Sequence, residues 1–406
     1  MTRSCGPSVD TEETGADRTG RLERRVLEEI RDEETVKLLR ELVAQPSENP
    51  PGNERECAQL LSSFLEQRGV ETRLVEVAPG RPNLYATLGS SSPILVLSGH
   101  LDTVPAGGGW TLDPFSGAVI GGWVYGRGAC DMKAGLAAMA GALVAVKRSG
   151  VALRGSLALH AVVDEEVSSA GARRAAAEEP ADWVIVTEPS NGRVFSTGNG
   201  QVNFEIVFHG RSVHSSHPED GRNAIDDAAA FICLVEEESR RLAAAPFPGI
   251  GPATYSVGLV KGGRGGSTVA DRCELTLDRR VLPSESLESA EEQVRALLGR
   301  LESERPGLVG ELSQSVAFPP LKGTDAEELE RVLKGAVVAS GETVSYELGG
   351  MRFATDASWY EAAGHPAVVF GPGDIAVAHQ PDEHVAIDEL MDCTRALVLC
   401  CVRLLA

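Results

Sequence analysis

A histidine and an aspartate that suit metal chemistry follow an early apolar run of this chain. His100 comes just after the run at 94–98, and Asp102 lies two positions further on. A neutral imidazole is a good zinc ligand, and a nearby carboxylate can accept the proton on its other nitrogen. A loop histidine beside an aspartate is more often structural, so this pair only suggests a metal site.

Asp131 lies in the glycine-rich run Gly-Arg-Gly-Ala-Cys-Asp, ahead of an alanine-rich segment at 133–148 that favours a helix. A carboxylate in this position could simply cap that helix. It also has two oxygens, which would allow it to bridge two metal ions about 3.5–4 Å apart. Both interpretations fit the local sequence.

Three consecutive acids, Asp164, Glu165 and Glu166, directly follow the apolar run at 157–163. Neighbouring carboxylates repel one another unless solvent or a cation lies between them. Either a solvated acidic turn or a cation site would therefore explain them. In the second case Glu166 would bind the cation, and Glu165 would act as the general base, since a base needs a free oxygen.

Two later residues complete a set of ligand candidates. Glu188 follows an apolar run at 183–186, and His379 lies in a loop after Gly-Pro-Gly-Asp; each alone would be unremarkable. Two histidines and three carboxylates form a mixed nitrogen and oxygen set that suits two divalent ions, zinc or else cobalt or manganese. The predicted metal ligands are His100, Asp131, Glu166, Glu188 and His379.

The elements that must position these residues indicate an α/β fold. Apolar runs alternate with helical segments, which predicts a mostly parallel sheet flanked by helices, with ligands beyond the carboxyl ends of its strands. From 197 to 318 the predicted order becomes β-α-β-β-α-β, that of a ferredoxin-like unit. We therefore expect a catalytic domain at 21–196 and 319–406, interrupted by an inserted α+β domain at 197–318.

Residues 21–45 and 53–69 are predicted to be helical, with Asn53 as a possible N-cap.

Composition and charge narrow the class of protein. The chain has 406 residues, which favours two domains, and a net charge of −21, which argues against nucleic-acid and anionic-membrane partners. Its eight cysteines include no C-x-x-C pair and suggest reduced thiols in a cytoplasmic protein. Residues 1–20 lack an apolar stretch and are predicted to be a flexible tail, and no later apolar run is long enough to suggest a membrane span.

Taken together, the motifs resemble those of a known family. It comprises the co-catalytic zinc amidohydrolases and peptidases that include acetylornithine deacetylase, succinyl-diaminopimelate desuccinylase, aminoacylase and glutamate carboxypeptidase. The resemblance runs from about residue 30 to 400 in the same order. The motifs that carry it are SGHLDTVP, GRGACDMKAG, VVDEE, TEPS and GPGDIAVAHQPDEHV.

The resemblance implies a role for each residue of the predicted centre. Asp131 would be shared by the two metals, one held also by His100 and Glu188 and the other by Glu166 and His379. Asp102 would orient His100. Glu165 would activate a bridging water as general base and then protonate the leaving amine.

The resemblance also implies functions for the inserted domain, which in the family usually mediates dimerisation. His214, in Gly-Arg-Ser-Val-His-Ser-Ser, would reach across a homodimer and stabilise the tetrahedral oxyanion. Arg280, in Asp-Arg-Arg-Val-Leu-Pro, would bind a substrate carboxylate. Without the family context, both would be interpreted as surface residues.

Two departures from the family pattern affect the expected substrate. Ser267 stands where the family commonly has an asparagine near the substrate, and Ala270 replaces the usual proline. The loop after His379 favours acetylornithine deacetylases, whereas the run at 353–357 differs from their usual Gly-Thr-Glu.

We expect hydrolysis of an N-acyl amino acid, with a dipeptidase or carboxypeptidase as the close alternative. A non-catalytic metal-binding homologue and a single-metal enzyme are further alternatives.

Overall fold

The computed structural model describes residues 15–341 and 349–406. The helices are α1 (Gly15–Leu27), α2 (Asp32–Val43), α3 (Arg55–Glu66), α4 (Ala134–Ser149), α5 (Ala170–Glu178), α6 (Ala224–Ala243), α7 (Leu287–Glu304), α8 (Glu327–Ser340), α9 (Ala357–Ala362) and α10 (Ile387–Leu405). The strands are β1 (Thr72–Ala78), β2 (Arg81–Leu88), β3 (Ile94–His100), β4 (Ala118–Ile120), β5 (Trp123–Tyr125), β6 (Ser156–Val162), β7 (Trp183–Val186), β8 (Gly200–His209), β9 (Thr254–Gly262), β10 (Arg272–Val281), β11 (Val309–Phe318), β12 (Ala367–Val369) and β13 (His384–Ala386).

The largest sheet has six strands in the order β1-β2-β6-β3-β7-β12. Neighbours from β6 to β12 are parallel, whereas β1 and β2 form an antiparallel edge. Every residue of β6 is buried, because helices cover both faces of the sheet. The prediction of a mostly parallel sheet flanked by helices is therefore confirmed.

A second sheet is formed by strands between Gly200 and Phe318, in the order β11-β8-β10-β9 with antiparallel neighbours. Buried and half-buried residues alternate along β8, because one face of the sheet packs on α6 and α7. Phe204, Phe208 and Phe231 lie in a core separate from that of the first sheet. The order of elements is the predicted β-α-β-β-α-β, and the mixed α/β fold class is confirmed.

The start of the chain differs from prediction. Helix α1 begins at Gly15, so the predicted tail at 1–20 is too long; residues 1–14 lie outside those described. The helical segment expected at 21–45 contains two helices, α1 and α2, separated by a turn. Helix α3 has Glu54 rather than Asn53 at its N-cap position, without a side-chain cap.

The helical stretch Ala129–Ser149 is long and apolar enough to cross a membrane by composition alone, and 94% of its most apolar window is buried inside the protein. A buried core helix explains that composition. Helix α4, which makes up most of this stretch, packs against α10, α2 and the main sheet.

A third sheet of three strands, β13-β5-β4, was not predicted. Its central strand β5 ends just before the loop that carries Asp131, and β13 follows the loop that carries His379. His384 pairs with Tyr125 in this sheet. The sheet therefore holds together two loops that are about 250 residues apart in the sequence.

Candidate metal centre

His100 is the last residue of β3, which lies between β6 and β7 in the main sheet, and its side chain is 1% exposed. Its Nδ1 lies 2.9 Å from the main-chain oxygen of Asp102. A carbonyl oxygen can only accept, so Nδ1 carries the proton and Nε2 presents its lone pair. That Nε2 lies 3.2 Å from Oδ1 of Asp131.

The carboxylate of Asp102 makes contacts other than the predicted one. Its Oδ1 is 3.6 Å from Nδ1 of His100, beyond hydrogen-bond distance. Instead the two oxygens accept the main-chain N–H groups of Glu165, at 3.2 Å, and Glu166, at 3.1 Å. Asn49 donates to the same carboxylate at 2.9 Å. The main chain of Asp102 thus orients His100, and its side chain holds the turn that carries the two glutamates.

Asp131 lies in a tight loop between β5 and α4, and the peptide bond that follows it is cis. The loop enters through Gly128, whose φ of 82° is in the left-handed region, and a Cβ there would lie 2.7 Å from Cγ2 of Thr103. Oδ1 of Asp131 faces His100, and Oδ2 lies 3.1 Å from Nε2 of His379. One carboxylate therefore stands between two imidazoles.

The two glutamates follow β6 after a sharp turn at Asp164, whose φ is 72°. Arg81 fixes this turn through an ion pair of 2.8 Å with Oδ1 of Asp164. Oε2 of Glu165 lies 4.0 Å from Nε2 of His100, while Oε2 of Glu166 lies 3.3 Å from Nε2 of His379. The adjacent glutamates therefore reach different parts of the centre.

Glu188 comes directly after β7 and Thr187, and it is 3% exposed. Its Oε1 has no hydrogen-bond partner among the described residues and lies 3.6 Å from Nε2 of His100. Helix α4 approaches this turn so closely that a Cβ on Gly135 would lie 2.3 Å from the oxygen of Thr187. A buried carboxylate oxygen without a partner is costly unless a cation is nearby.

His379 is the most accessible of the predicted ligands, with a side chain that is 50% exposed. It lies in the loop between β12 and β13 and has a φ of 60°, a left-handed conformation uncommon for residues other than glycine. Its contacts with Asp131 and Glu166 place its ring at the mouth of the centre.

The acids and histidines of the centre strongly shift one another's pKa. Burial and the neighbouring carboxylates hold the pKa of Glu188 well above its usual range, and burial does the same to the pKa of Glu165, although the charge of His100 opposes it. Hydrogen bonds to Asp131 and Glu166 raise the pKa of His379 to about 10. The pKa of His100 is also raised, because the nearby carboxylates outweigh its burial. So many buried acids favour bound positive charge.

The donor set fits two metal ions. At zinc–ligand distances near 2.1 Å, donor atoms around one tetrahedral ion are roughly 3.4 Å apart. The donor atoms of His100 lie 3.2 Å from Asp131 and 3.6 Å from Glu188, and those of His379 lie 3.1 Å from Asp131 and 3.3 Å from Glu166. These two groups share only Asp131, which is the division that the family resemblance implies. The donor atoms of His100 also lie within 4.8 Å of those of Glu165 and Glu166.

The centre opens into a cavity of about 510 Å³ that both sheets line. The second sheet contributes Arg280 from β10, the predicted substrate-binding arginine, together with Gln201 and Asn203 from β8, which were not among the predicted site residues. Arg280 uses its Nε to bind Oδ1 of Asp278 at 3.0 Å. The alternation of β8 placed Gln201 and Asn203 on one face, but gave no sign that this face meets the metal centre.

The other two predicted residues of the inserted segment lie elsewhere. His214 and Ser267 are exposed and are not among the residues that line the cavity. Their loops pair through the main chain: His214 bridges Thr268, and Ser215 donates to the oxygen of Ser267 at 3.0 Å. The side chain of His214 contacts Ser216, with 2.7 Å between Nδ1 and Oγ. One copy of the chain, as it stands, does not bring them to the metal centre.

Asp356 is an acid near the centre that was not among the candidates. It is 1% exposed, and its burial raises its pKa to about 7. Its charge acts on both Glu165 and Glu188. Its only signal in the sequence was its position in the run at 353–357, which differs from the family pattern.

Comparison with known proteins agrees with this fold and site. Residues 96–402 match the model of peptidase family M20/M25/M40, and the chain belongs to that family. It is 32% identical over 367 residues to an acetylornithine deacetylase of Proteus mirabilis, covering 86% of this chain and 91% of that protein. It is 28% identical over 388 residues to a probable succinyl-diaminopimelate desuccinylase of Staphylococcus aureus, covering 88% and 94%.

Solved structures show the same fold. A tripeptidase from Staphylococcus aureus superposes with a TM-score of 0.74 at 24% identity, covering 92% of this chain and 99% of that one. A dinuclear metal-binding peptidase of family M20 from Bacillus subtilis superposes with a TM-score of 0.70 at 16% identity, covering 92% and 98%. The protein is thus a metallo-amidohydrolase, and the predicted family is confirmed.

Proposed function

We propose that this enzyme hydrolyses the amide bond of an N-acyl amino acid at a centre of two divalent metal ions, most readily zinc, with cobalt or manganese as substitutes. The observation that carries the proposal is Asp131, whose two oxygens face different histidines, His100 and His379. Each histidine in turn approaches a further carboxylate, Glu188 or Glu166. Two ions bound here would polarise the amide carbonyl and lower the pKa of a water molecule.

Glu165 is the proposed general base. It lines the cavity, and its Oε2 lies 4.0 Å from Nε2 of His100, farther than Oε1 of Glu188 at 3.6 Å. Its main-chain N–H donates to Asp102, so the turn is held while the carboxylate faces the cavity. It would take a proton from the attacking water and then transfer it to the leaving amine.

Arg280 is the proposed partner of the substrate carboxylate. It lines the same cavity as the centre, and its planar guanidinium suits bidentate binding of a carboxylate. Gln201 and Asn203 also line this cavity. A substrate with a carboxylate at one end and an amide bond at the other would extend across the cavity.

We propose that the enzyme acts as a cytoplasmic homodimer through the inserted domain, with His214 acting in the partner's site. Strand β9 lies at the edge of the second sheet, where Leu259 and Val260 are 46% and 50% exposed. Ile225 on α6, which packs beside β9, is 41% exposed. An apolar edge strand is well suited to pairing with a second copy.

Cleavage of dipeptides or other short peptides is the second candidate. The cavity of about 510 Å³ has an apolar wall of Val316, Phe318 and Phe353, which a short acetyl group would not fill. A residue with a larger side chain, or a longer acyl group, would bury more apolar surface there.

A panel of substrates tests the proposal. Metal-reconstituted enzyme should be assayed with N-acetylornithine, N-succinyl-diaminopimelate, other N-acyl amino acids, and dipeptides. We expect kcat/KM to be highest for an acyl amino acid with a free carboxylate, and to fall when that carboxylate is esterified. Turnover of dipeptides alone would favour the second candidate, and failure to hydrolyse any acyl amino acid would contradict the first.

A further inference from the structure

Glu383 is a buried carboxylate four residues after His379, at the end of the same loop, and it is 1% exposed. Its Oε1 accepts two main-chain N–H groups, that of Cys130 at 2.9 Å and that of Asp131 at 3.0 Å. The main-chain oxygen of Glu383 also accepts the N–H of Gly126 at 2.9 Å. This residue therefore binds the loop that carries the bridging aspartate.

The second oxygen of Glu383 forms an ion pair with Nη1 of Arg127, which is itself only 2% exposed. The guanidinium also lies over the ring of Trp110, with 5.2 Å from its central carbon to the ring centroid. A buried ion pair is stable only when both charges are compensated and well placed. Arg127 therefore holds the carboxylate of Glu383 in place against the Asp131 loop.

The loop of His379 is anchored by hydrogen bonds from Thr111 to Asp382 and from Cys130 to the oxygen of Asp374, but the His379 side chain itself is supported from within the centre. Its ring is half exposed, and its contacts with Asp131 and Glu166 are contacts with other predicted ligands. His100, by contrast, is built into a central strand and is held by Asp102. The relative position of His379 and Asp131 thus depends on the links between their loops, and Glu383 is the one that binds the main-chain N–H of Asp131 itself.

We propose that Glu383 is a positioning residue that sets the metal affinity of the centre, with Arg127 holding it in place. The proposal rests on the metal centre proposed above. Glu383 touches no donor atom of the five ligands. It fixes the main chain of Asp131 relative to the loop of His379, so that both imidazoles meet opposite oxygens of one carboxylate. Loss of such support around a ligand typically weakens metal binding by 10–100-fold.

The experiment compares metal binding in the wild-type enzyme and in Glu383→Gln. Apoenzyme should be titrated with zinc against a competing chelator, and the visible spectrum of the cobalt form should be recorded. We expect Glu383→Gln to bind the more weakly held ion about 10–100-fold less tightly and to shift the cobalt spectrum. Glutamine keeps the size of the side chain but leaves Arg127 without a charged partner.

Asp227→Asn is the matched control. Asp227 is a buried carboxylate of the second sheet's helix α6, paired with Arg222 at 2.7 Å and Arg305 at 2.9 Å, and it does not line the cavity. We expect this variant to lower the Tm without changing zinc affinity or the cobalt spectrum. If Glu383→Gln lowers the Tm but leaves the zinc affinity and the cobalt spectrum as in wild type, the proposal is overturned, since the ion pair would then be only structural.

Glu383→Asp provides a second test if Glu383→Gln does not fold. It keeps the charge beside Arg127 but is one methylene too short to reach both N–H groups, so zinc affinity should fall at least about tenfold. Unchanged affinity would overturn the proposal. If wild-type enzyme binds no zinc or cobalt, the proposed metal centre itself fails, and that outcome is distinct from failure of the inference about Glu383.

Discussion

The two sheets of this protein contribute to the site in different ways. The main sheet brings together His100, Glu166 and Glu188 from the ends of three parallel strands or the turns after them, and the nearby loops add Asp131 and His379. The second sheet contributes Arg280 to the cavity wall, but its loops leave His214 and Ser267 exposed and away from it. The metal ligands and Arg280 are brought together within a single copy of the chain, whereas His214 and Ser267 are not.

Because of this difference, metal binding and completion of the active site have different structural requirements. A centre built on the edge of a buried sheet is held in place by the core. Groups on exposed loops of a second domain can act only after a domain movement or from a second copy. The first set should therefore govern metal content and the chemical step, and the second should govern substrate binding and depend on assembly.

The largest effect is expected from Glu165→Gln. The amide cannot take a proton from water, so kcat should fall roughly 10³-fold while two equivalents of metal remain bound. Steady-state kinetics and metal analysis check this result, with Glu178→Gln on the exposed face of α5 as control. Normal turnover by Glu165→Gln would show that another group is the base.

His214→Ala should lower kcat about 10²-fold, as expected for loss of one donor to the oxyanion. If His214 acts from the partner, mixing this variant with Glu165→Gln under conditions of subunit exchange should restore activity. Each mixed dimer then contains one complete site, with Glu165 from one copy and His214 from the other.

The unmixed variants, taken through the same exchange, serve as controls for this experiment. After random exchange about half of the dimers are mixed, and each mixed dimer has one complete site of two. Activity should therefore reach up to about a quarter of the wild-type level. Mixed dimers that form but remain inactive would contradict action in trans. In that case His214 either acts within its own chain or has no part in catalysis.

Arg280→Lys should reduce kcat/KM about tenfold, mainly by raising KM, because an ammonium cannot form the bidentate bond to a carboxylate. The neighbouring Arg279→Lys is a matched control. Arg279 is fully buried and pairs with Glu285 at 2.7 Å, so its replacement should lower the Tm rather than raise KM. With a substrate whose carboxylate has been converted to an amide or an ester, wild type and Arg280→Lys should have the same kcat/KM.

Ser267→Ala should have the smallest effect, a change in kcat/KM below about threefold, because Ser267 is exposed and lies outside the cavity wall. The same assay checks it. A loss greater than about tenfold would show that Ser267 reaches the substrate in the assembled enzyme, as the family's asparagine position implies.

Much of the fold and the metal centre could be predicted from the sequence. Apolar runs ending in His100, Glu165-Glu166 and Glu188 indicate buried parallel strands with polar ends, and that pattern is local. The alternation of β8 and the order of the following elements likewise indicate the second sheet. These features depend on short-range periodicity, which a single sequence contains.

Contacts between distant segments could not be predicted in the same way. The side chain of Asp102 binds the Glu165-Glu166 turn instead of His100, and Glu383 binds the loop of Asp131 from 252 positions away. Gln201 and Asn203 line the cavity only because the second sheet reaches the metal centre. Such positions depend on how elements pack, and nothing in the neighbouring residues encodes them.

The most direct test of the two-metal centre is the number of metal ions that activity requires. Apoenzyme, prepared with a chelator, should be titrated with zinc while bound metal and turnover are measured on the same samples. The shared position of Asp131 between His100 and His379 predicts two bound ions per chain, and loss of both from Asp131→Ala. Full activity with one ion, or an Asp131→Ala variant that still binds two, would contradict a centre of two ions that share Asp131.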